Sequence, residues 1–275
     1  MASEGLQGHR ARKRFGQNFL HDRHWIERIA KAVNATEGDD IVEIGPGQAA
    51  LTRELIAGAG KVRAVEIDRD LAAWLKETFP ESLSLIEADA LTLDWTQVAK
   101  NDNLRVVGNL PYNISSPLLF KLLEAADHVK DQHFMLQKEV VDRMVAQHGS
   151  KTYGRLSVML QWRYRMQKLF DVPPGAFNPP PKVMSSVVRM IPKAKEEVPS
   201  VDFELFSSVV ANAFSQRRKT IRNALSALLS AEEIVACDVD PGARAEALPL
   251  DAFVRLAQKA EALGRKAVTP GTTVD

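Results

Sequence analysis

The sequence predicts an α/β fold, in which helices cover a mostly parallel sheet, followed by a small all-α domain. Short apolar runs alternate with segments of helical spacing up to Pro192. A Gly-Pro-Gly turn directly follows the first of these runs, as expected where a strand leads into a helix. Beyond a polar segment bounded by prolines, the apolar spacing is helical. These three observations predict the two-part architecture.

Seven short apolar runs are predicted as strands. They span residues 41–44, 61–67, 83–86, 104–107, 133–136, 156–162 and 185–191. Helical spacing at 50–56 and 71–75 separates the first three runs, and this alternation predicts parallel pairing. No long helix separates the last two runs, so we expect an antiparallel hairpin at that edge of the sheet.

The C-terminal part is predicted to be a helical domain. Apolar residues recur at steps of three and four from Phe203 to Phe214, and Ile221, Leu225 and Leu228 continue the spacing. The segment 192–199 is charged and bounded by prolines, which predicts a linker. We therefore expect two domains, at residues 1–195 and 196–275.

Composition restricts the class of function. The hydrophobic fraction of 45% and the charged fraction of 26% are ordinary for a globular protein. A net charge of +1 argues against binding nucleic acid by bulk positive charge, so any such binding requires local clusters. The single cysteine, Cys237, excludes an internal disulfide and predicts a reducing compartment. With no signal-peptide pattern, membrane span or heptad repeat, we expect a cytoplasmic monomer that binds neither membrane nor metal.

A cofactor site is predicted at the glycine turn. Gly45 and Gly47 allow the main chain to turn tightly and to approach a ligand closely. Glu66 ends the next strand, where a carboxylate can accept hydrogen bonds from two ribose hydroxyl groups. Asp89 follows the third strand and can meet the edge of an adenine. The recurrence of acids at successive strand ends favours a nucleoside-containing ligand.

A nicotinamide dinucleotide is the alternative ligand. Gly45, Gly47 and Ala50 satisfy the dinucleotide pattern, and Glu66 lies at about the expected twenty-residue distance. However, Pro46 removes a main-chain donor that a pyrophosphate would need. Glu43 also places a carboxylate near the turn, which suits a cationic sulfonium better than phosphates. The sequence therefore favours a sulfonium cofactor.

The sequence Asn109-Leu110-Pro111-Tyr112 follows the fourth strand and indicates chemistry on an adenine amine. Such an amine is a poor nucleophile because its lone pair is delocalised into the ring. The side-chain oxygen of Asn109 and the carbonyl of Leu110 can accept its two N–H groups and orient the lone pair. Pro111 fixes the backbone, and Tyr112 offers a face on which the base can stack. Catalysis would then rest on orientation and hydrogen bonding.

Taken together, the motifs resemble those of the ribosomal RNA adenine dimethyltransferases over nearly the whole chain. The matching segments are residues 14–20, 42–47, 109–115, 137–140, 177–183 and 217–219. The resemblance implies a Rossmann-like class I methyltransferase sheet with a helical C-terminal domain. It also implies that S-adenosylmethionine dimethylates the N6 amines of two adjacent adenosines in the 3′-terminal hairpin loop of 16S rRNA, within the small ribosomal subunit.

The resemblance also implies roles for individual residues. Gln17, Asn18 and Leu20 would close over the methionine end of the cofactor, and Gly45 would contact it. Glu66 would hold the ribose, Asp89 and Ala90 the adenine, and Asn109 the target amine beside the cofactor. Phe177 would form an aromatic clamp with Tyr112.

Three basic clusters are candidate RNA contacts. The first is an N-terminal arm, the second is expected at the domain junction, and the third alternates with aromatic residues. Their members are Arg10, Arg12, Lys13 and Arg14; Arg217, Arg218, Lys219 and Arg222; and Arg163, Arg165 and Lys168. We expect a looped adenosine to flip out of its stack into the clamp.

Three alternatives remain at this point. A related large-subunit resistance methylase is disfavoured by Leu110 and by segments 177–183 and 217–222. A ribosome-assembly factor without catalysis is disfavoured by the intact Glu66, Asp89 and Asn109, although both roles can coexist. A nicotinamide oxidoreductase has no use for the Asn-Leu-Pro-Tyr motif.

Overall fold

The computed structural model describes residues 5–6, 8, 11–12, 16–99 and 101–270. The chain divides into two compact units. One comprises Met1–Val141 and Arg165–Pro192, and the other comprises Asp142–Tyr164 and Lys193–Asp275. This division passes through the predicted linker at 192–199, but it also places residues 142–164 with the C-terminal helices.

The described residues form nine strands. These are Phe19–Leu20 (β1), Ile41–Ile44 (β2), Val62–Glu66 (β3), Leu83–Glu87 (β4), Leu104–Asn109 (β5), Val129–Gln137 (β6), Tyr164–Val172 (β7), Phe177–Asn178 (β8) and Ser185–Pro192 (β9). Seven of them form one sheet in the order β4-β3-β2-β5-β6-β9-β7. The neighbours from β4 to β6 pair in parallel, and β9 runs antiparallel to β6. The short strands β1 and β8 pair with each other.

Helices connect and cover the strands, as the alternating pattern predicts. They are Arg23–Val33 (α1), Ala50–Ala59 (α2), Arg69–Thr78 (α3), Trp95–Val98 (α4), Ser115–Leu122 (α5), Lys138–Met144 (α6), Arg155–Arg163 (α7), Phe203–Ala213 (α8), Ile221–Ala224 (α9), Ala231–Val235 (α10) and Leu250–Ala262 (α11). All four residues of β2 are buried, as expected for a central strand covered on both faces. The predicted α/β class is confirmed.

One predicted strand is wrong. Residues 156–162 lie in helix α7, and the edge strand β7 begins only at Tyr164. Leu156, Val158 and Leu160 are all buried, and a short run buried on several sides has no clear helical or strand period. Because β7 is largely half-exposed and carries charged residues, it lacks the apolar signal of a buried strand. The strand predicted at 185–191 is correct, because it corresponds to β9, the neighbour of β7 at this edge of the sheet.

The second unit is helical, as predicted for the C-terminal part. Helix α8 begins after Asp202, whose carboxylate accepts from the Leu205 amide at 2.8 Å and caps the helix. Phe206 and Phe253 are fully buried, and the rings of Phe214 and Phe253 have centroids 5.5 Å apart. Burial of these aromatic side chains holds α8 and α11 together. Across the described ranges, no helix is both long and apolar enough to cross a membrane.

Candidate active site

The carboxyl ends of the central strands border a cavity of about 330 Å³. Strands β2 to β5 run parallel, so the turns that follow them open at the same edge of the sheet. Most lining residues come from these turns and from segment 16–20. The volume lies in the range of about 300–1,000 Å³ typical of small-ligand pockets. The cavity therefore has the position and size expected of a cofactor site.

The turn after β2 needs glycine at two positions. Gly45 has φ 67° and Gly47 has φ 56°, in the left-handed region that other residues rarely adopt. A Cβ atom at Gly47 would lie 3.1 Å from Cδ1 of Phe19, so a side chain would crowd that ring. The amide of Gly45 donates to the Val65 carbonyl at 2.9 Å and ties the turn to β3. The turn thus brings bare main chain to the cavity wall.

Glu66 ends β3 and is held by two main-chain amides. Its Oε1 accepts from the Asp68 amide at 2.9 Å, and its Oε2 accepts from the Gly47 amide at 3.3 Å. Burial raises the pKa of this carboxyl, while the amide hydrogen bonds act in the opposite direction. The group is fixed at the cavity wall, where further lone pairs can accept from ligand hydroxyl groups.

Asp89 and Ala90 line the cavity after β4. Oδ1 of Asp89 accepts from the Leu91 amide at 2.9 Å, which orients the carboxylate. The carbonyl of Ala90 accepts from Nε1 of the fully buried Trp95 at 3.0 Å. The Trp95 indole therefore holds the main chain of the turn that follows β4.

Asn109 is the last residue of β5, and the orientation of its side chain is fixed. Nδ2 donates to the main-chain carbonyl of Asn18 at 3.0 Å. Because a carbonyl oxygen only accepts, the amide nitrogen must face Asn18, and Oδ1 is the acceptor that the side chain can offer elsewhere. The next residue, Leu110, is buried and donates its amide to the Met135 carbonyl at 3.1 Å. The start of the predicted catalytic motif is therefore held by its main chain as well as by its side chain.

Tyr112 is half-buried and lines the cavity together with Pro111. The hydroxyl oxygens of Tyr112 and Ser185 lie 2.9 Å apart and share a hydrogen bond. Burial raises the pKa of the Tyr112 hydroxyl, so the group stays protonated at neutral pH. Tyr112 is thus suited to present its ring to a base and unsuited to accept a proton from one.

Segment 16–20 supplies Gln17, Asn18 and Leu20 to the cavity wall, which brings these predicted residues together with Gly45 and Glu66. The two ends of the Gln17 amide are both engaged. Nε2 donates to Oδ2 of Asp68 at 3.0 Å, and Oε1 accepts from the Arg12 amide at 2.7 Å.

Phe177 lies elsewhere. Its side chain is 2% exposed, belongs to the main hydrophobic core, and is not among the described residues that line the cavity. Phe177 pairs with Leu20 in the ladder between β1 and β8. An aromatic clamp with Tyr112 therefore stays a prediction, and it would require the Phe177 side chain to leave this core.

Three buried polar residues of the site were not singled out by any sequence motif. Asp68 is fully buried and caps α3 by accepting from the Asp70 amide at 3.1 Å. Its position directly before a helical segment is the only signal that the sequence offers. Ser185 and His133 lie on neighbouring strands β9 and β6, and burial lowers the pKa of His133 to about 4. His133 also lines the cavity, as a neutral imidazole.

The basic clusters differ in their surroundings. Arg12 donates to Asp68 at 2.9 Å and also contacts Asp70, so two carboxylates offset its charge. Arg163 is buried and donates to the Lys193 carbonyl at 2.7 Å, so its predicted place in an exposed cluster is wrong. Arg217, Arg218, Lys219 and Arg222 are exposed, and their contact with RNA stays a prediction. Arg10, Lys13 and Arg14 lie outside the described residues.

A mostly parallel sheet, with a glycine turn after β2, carboxylates at or just after the ends of β3 and β4, and an amide-bearing motif that begins at the end of β5, defines a class I methyltransferase. The family model of ribosomal RNA adenine dimethylases matches residues 8–261. The chain belongs to this family, and it is a methyltransferase, as the sequence predicts. Membership of this class implies that the methyl donor is S-adenosylmethionine.

Individual relatives agree with this family. Ribosomal RNA small subunit methyltransferase A of Thiobacillus denitrificans is 58% identical over 87% of this chain and 94% of its own length. The protein of the same name from Pseudomonas aeruginosa is 53% identical over 95% and 99% of the two chains.

Solved structures agree as well. A dimethyladenosine transferase from Plasmodium falciparum has a TM-score of 0.79 at 25% identity, covering 91% of this chain and all of that one. The 23S rRNA methyltransferase ErmE has a TM-score of 0.69 at 26% identity, covering 89% and 100%.

Proposed function

We propose that this protein dimethylates the N6 amines of two adjacent adenosines in the 3′-terminal hairpin loop of 16S rRNA, using S-adenosylmethionine. The observation that carries the proposal is the fixed orientation of Asn109, which leaves Oδ1 as an acceptor beside the cavity. An acceptor suits an amine nucleophile, because hydrogen bonds from the N–H groups can draw the amine out of conjugation with the ring and so free its lone pair. The names of relatives at 58% and 53% identity support the small subunit as the source of the RNA.

The residues around the cavity fit the proposed cofactor. Gly45 and Gly47 give the close main-chain approach that a methionine moiety needs, and any Cβ at Gly47 would crowd Phe19. Glu66 is oriented to accept from ribose hydroxyl groups, and Asp89 with Ala90 lies one strand further, where an adenine would sit. Gln17, Asn18 and Leu20 would cover the methionine end. When bound, S-adenosylmethionine supplies an electrophilic methyl group.

The chain's own groups would bind and orient the target base. Oδ1 of Asn109 and the carbonyl of Leu110 would accept the two hydrogens of the N6 amine. The ring of Tyr112 would stack against the base, with Phe177 as the proposed second face. Tyr112 does not act as a base, because its hydroxyl is protonated and bonded to Ser185. Rate acceleration would come from orientation and fixed hydrogen-bond acceptors.

Recognition of the subunit would depend on local positive charge. Arg217, Arg218, Lys219 and Arg222 are exposed in the second unit and can contact phosphates of an RNA helix. We also propose that the protein is a cytoplasmic monomer that acts on the small subunit or its precursor and thereby takes part in ribosome biogenesis. A role in assembly and a role in methylation are compatible.

A large-subunit substrate is the second candidate, because the fold is also close to ErmE. The two are separated by incubating the protein with labelled S-adenosylmethionine and with unmodified small or large subunits. We expect label only in small-subunit RNA, recovered after digestion as dimethyladenosine. Label confined to large-subunit RNA, or no label in either, would contradict the proposal.

A further inference from the structure

We infer that Asp68 is a positioning residue that links the cofactor wall of the cavity to the target-amine acceptor, through the segment that contains Gln17 and Asn18. This inference deepens the proposed function and rests on it for the role of Asn109. It is carried by a chain of hydrogen bonds between residues that are far apart in sequence.

The series of hydrogen bonds begins at Glu66. The Asp68 amide donates to Oε1 of Glu66 at 2.9 Å, so the two acids are held together at the start of α3. The Asp68 carboxylate is fully buried and has several donors around it. Oδ1 accepts from Nη1 of Arg12 at 2.9 Å, and Oδ2 accepts from Nε2 of Gln17 at 3.0 Å. A buried carboxylate needs such donors, because an unpartnered one would be costly.

The series of hydrogen bonds ends at Asn109. Gln17 is covalently joined to Asn18, whose carbonyl accepts from Nδ2 of Asn109 at 3.0 Å. Gly16, which precedes Gln17, lies close to Asn113. A Cβ atom at Gly16 would lie 3.0 Å from Oδ1 of Asn113. The position of Gln17 therefore determines where the Asn18 carbonyl stands, and that carbonyl determines which way the Asn109 amide faces.

This arrangement assigns Arg12 a role that its sequence context does not suggest. Its guanidinium is divided between Asp68 and Asp70, and its amide donates to Gln17. Arg12 therefore braces the same segment from the outside. Its side chain is 31% exposed, so the contact lies between the buried Asp68 carboxylate and the solvent.

The test is a reversal of hydrogen-bond polarity. In Asp68→Asn, the new side-chain oxygen can still cap α3 and accept from Arg12, but the new amide nitrogen faces the donor Nε2 of Gln17. In Asp68→Asn combined with Gln17→Glu, position 17 becomes an acceptor and the hydrogen bond returns with the same total charge. Asp94→Asn is the matched control, because Asp94 caps α4 in the same way and lies outside the cavity wall.

The first measurement needs no cofactor and no RNA. In protein labelled at asparagine side chains, the side-chain amide protons of Asn109 should exchange with solvent faster in Asp68→Asn than in the wild type. The double variant should restore the slow exchange rate. Asp94→Asn should leave the rate unchanged. An unchanged exchange rate in Asp68→Asn, with the variant folded, would overturn the inference.

The second measurement is methylation at saturating cofactor. Asp68→Asn should lower kcat by about tenfold, a fraction of the roughly 10²-fold that a 1 Å misplacement can cost, and the double variant should recover most of it. A higher KM for the cofactor with unchanged kcat would overturn the link to Asn109. If the wild type transfers no methyl group to RNA, the proposed function fails, whereas the exchange experiment still decides the positioning of Asn109.

Discussion

The side-chain amide of Asn109 and the main-chain carbonyl of Asn18 form a 3.0 Å hydrogen bond between residues that are 91 positions apart. The bond joins the end of β5 to the segment that covers the cavity. It makes the N-terminal segment part of the candidate site, because it decides which atom of the Asn109 amide is left to face the cavity.

Replacement of Asn109 should therefore lower turnover more than cofactor affinity. Asn109→Ala removes the acceptor, and we expect kcat to fall by about 10²-fold, the size of effect seen when one fixed hydrogen-bonding group is removed from an active site. Asn109→Asp keeps an acceptor but sets an oxygen against the Asn18 carbonyl, so it should also fail. Steady-state kinetics on small subunits and calorimetric titration with cofactor measure the two effects. Equal losses in turnover and in affinity would contradict the role given to Asn109.

The bond between Tyr112 and Ser185 should fix the stacking face. Tyr112→Phe and Ser185→Ala each remove one partner, and each should weaken binding of the target base by about 1 kcal/mol. The double variant should be no worse than either single variant if the hydrogen bond carries the effect. Ser186→Ala is the matched control, because the adjacent Ser186 donates to Asp171 instead. Additive losses in the double variant would argue against a shared bond.

Glu43 should make stability depend on pH near neutrality. Burial raises the pKa of this carboxyl from 4.5 to about 7 in the folded protein. Its favourable contribution is present below about pH 4.5, where both states are protonated, and is lost as the pH rises through 7. Glu43→Gln should therefore gain stability relative to the wild type between pH 5 and pH 8, by at most roughly 3 kcal/mol.

Urea unfolding at the two pH values measures this difference. Glu81→Gln, which changes an exposed carboxyl, serves as the control and should show no comparable gain. A Glu43→Gln protein whose relative stability is the same at pH 5 and pH 8 would show that the carboxyl is not held in its neutral form.

Charge reversal in the second unit should weaken RNA binding without affecting the cofactor. Arg217→Glu with Arg218→Glu removes two exposed cations, so subunit affinity should fall and the salt dependence of binding should become shallower, by about one unit of slope for each phosphate that is no longer neutralised. Arg23→Glu, an exposed residue of α1, is the control for a change in net charge. Filter binding over a series of salt concentrations gives both quantities. If cofactor affinity falls as well, the assignment of these arginines to RNA binding is wrong.

Much of the candidate site was predictable, because its motifs are local. A glycine turn, an acid at a strand end and the Asn-Leu-Pro-Tyr sequence each occupy a few adjacent residues. In parallel strands, the order of these segments along the chain is enough to bring them to one edge of the sheet. The helical C-terminal part was predictable for the same reason, since its apolar spacing is a local pattern.

Other features could not be read from local pattern. Residues 156–162 form a helix, but tertiary packing buries residues 156–160 on several sides, and this hides the helical period. Arg163 looks like a surface cation until its guanidinium is found against the Lys193 carbonyl. Phe177 matches a family motif, yet its side chain lies in the core beside β1.

By itself, the sequence determined the class of fold, the position of the glycine turn and the family, since these depend on residue types at short spacing. Only the tertiary structure decided the orientation of the Asn109 side chain, the hydrogen bond between Tyr112 and Ser185, and the hydrogen bond between Gln17 and the buried Asp68 carboxylate. Each of these depends on one hydrogen bond between residues from 51 to 91 positions apart. Such a bond forms only when the packed sheet and helices bring donor and acceptor within about 3 Å of each other.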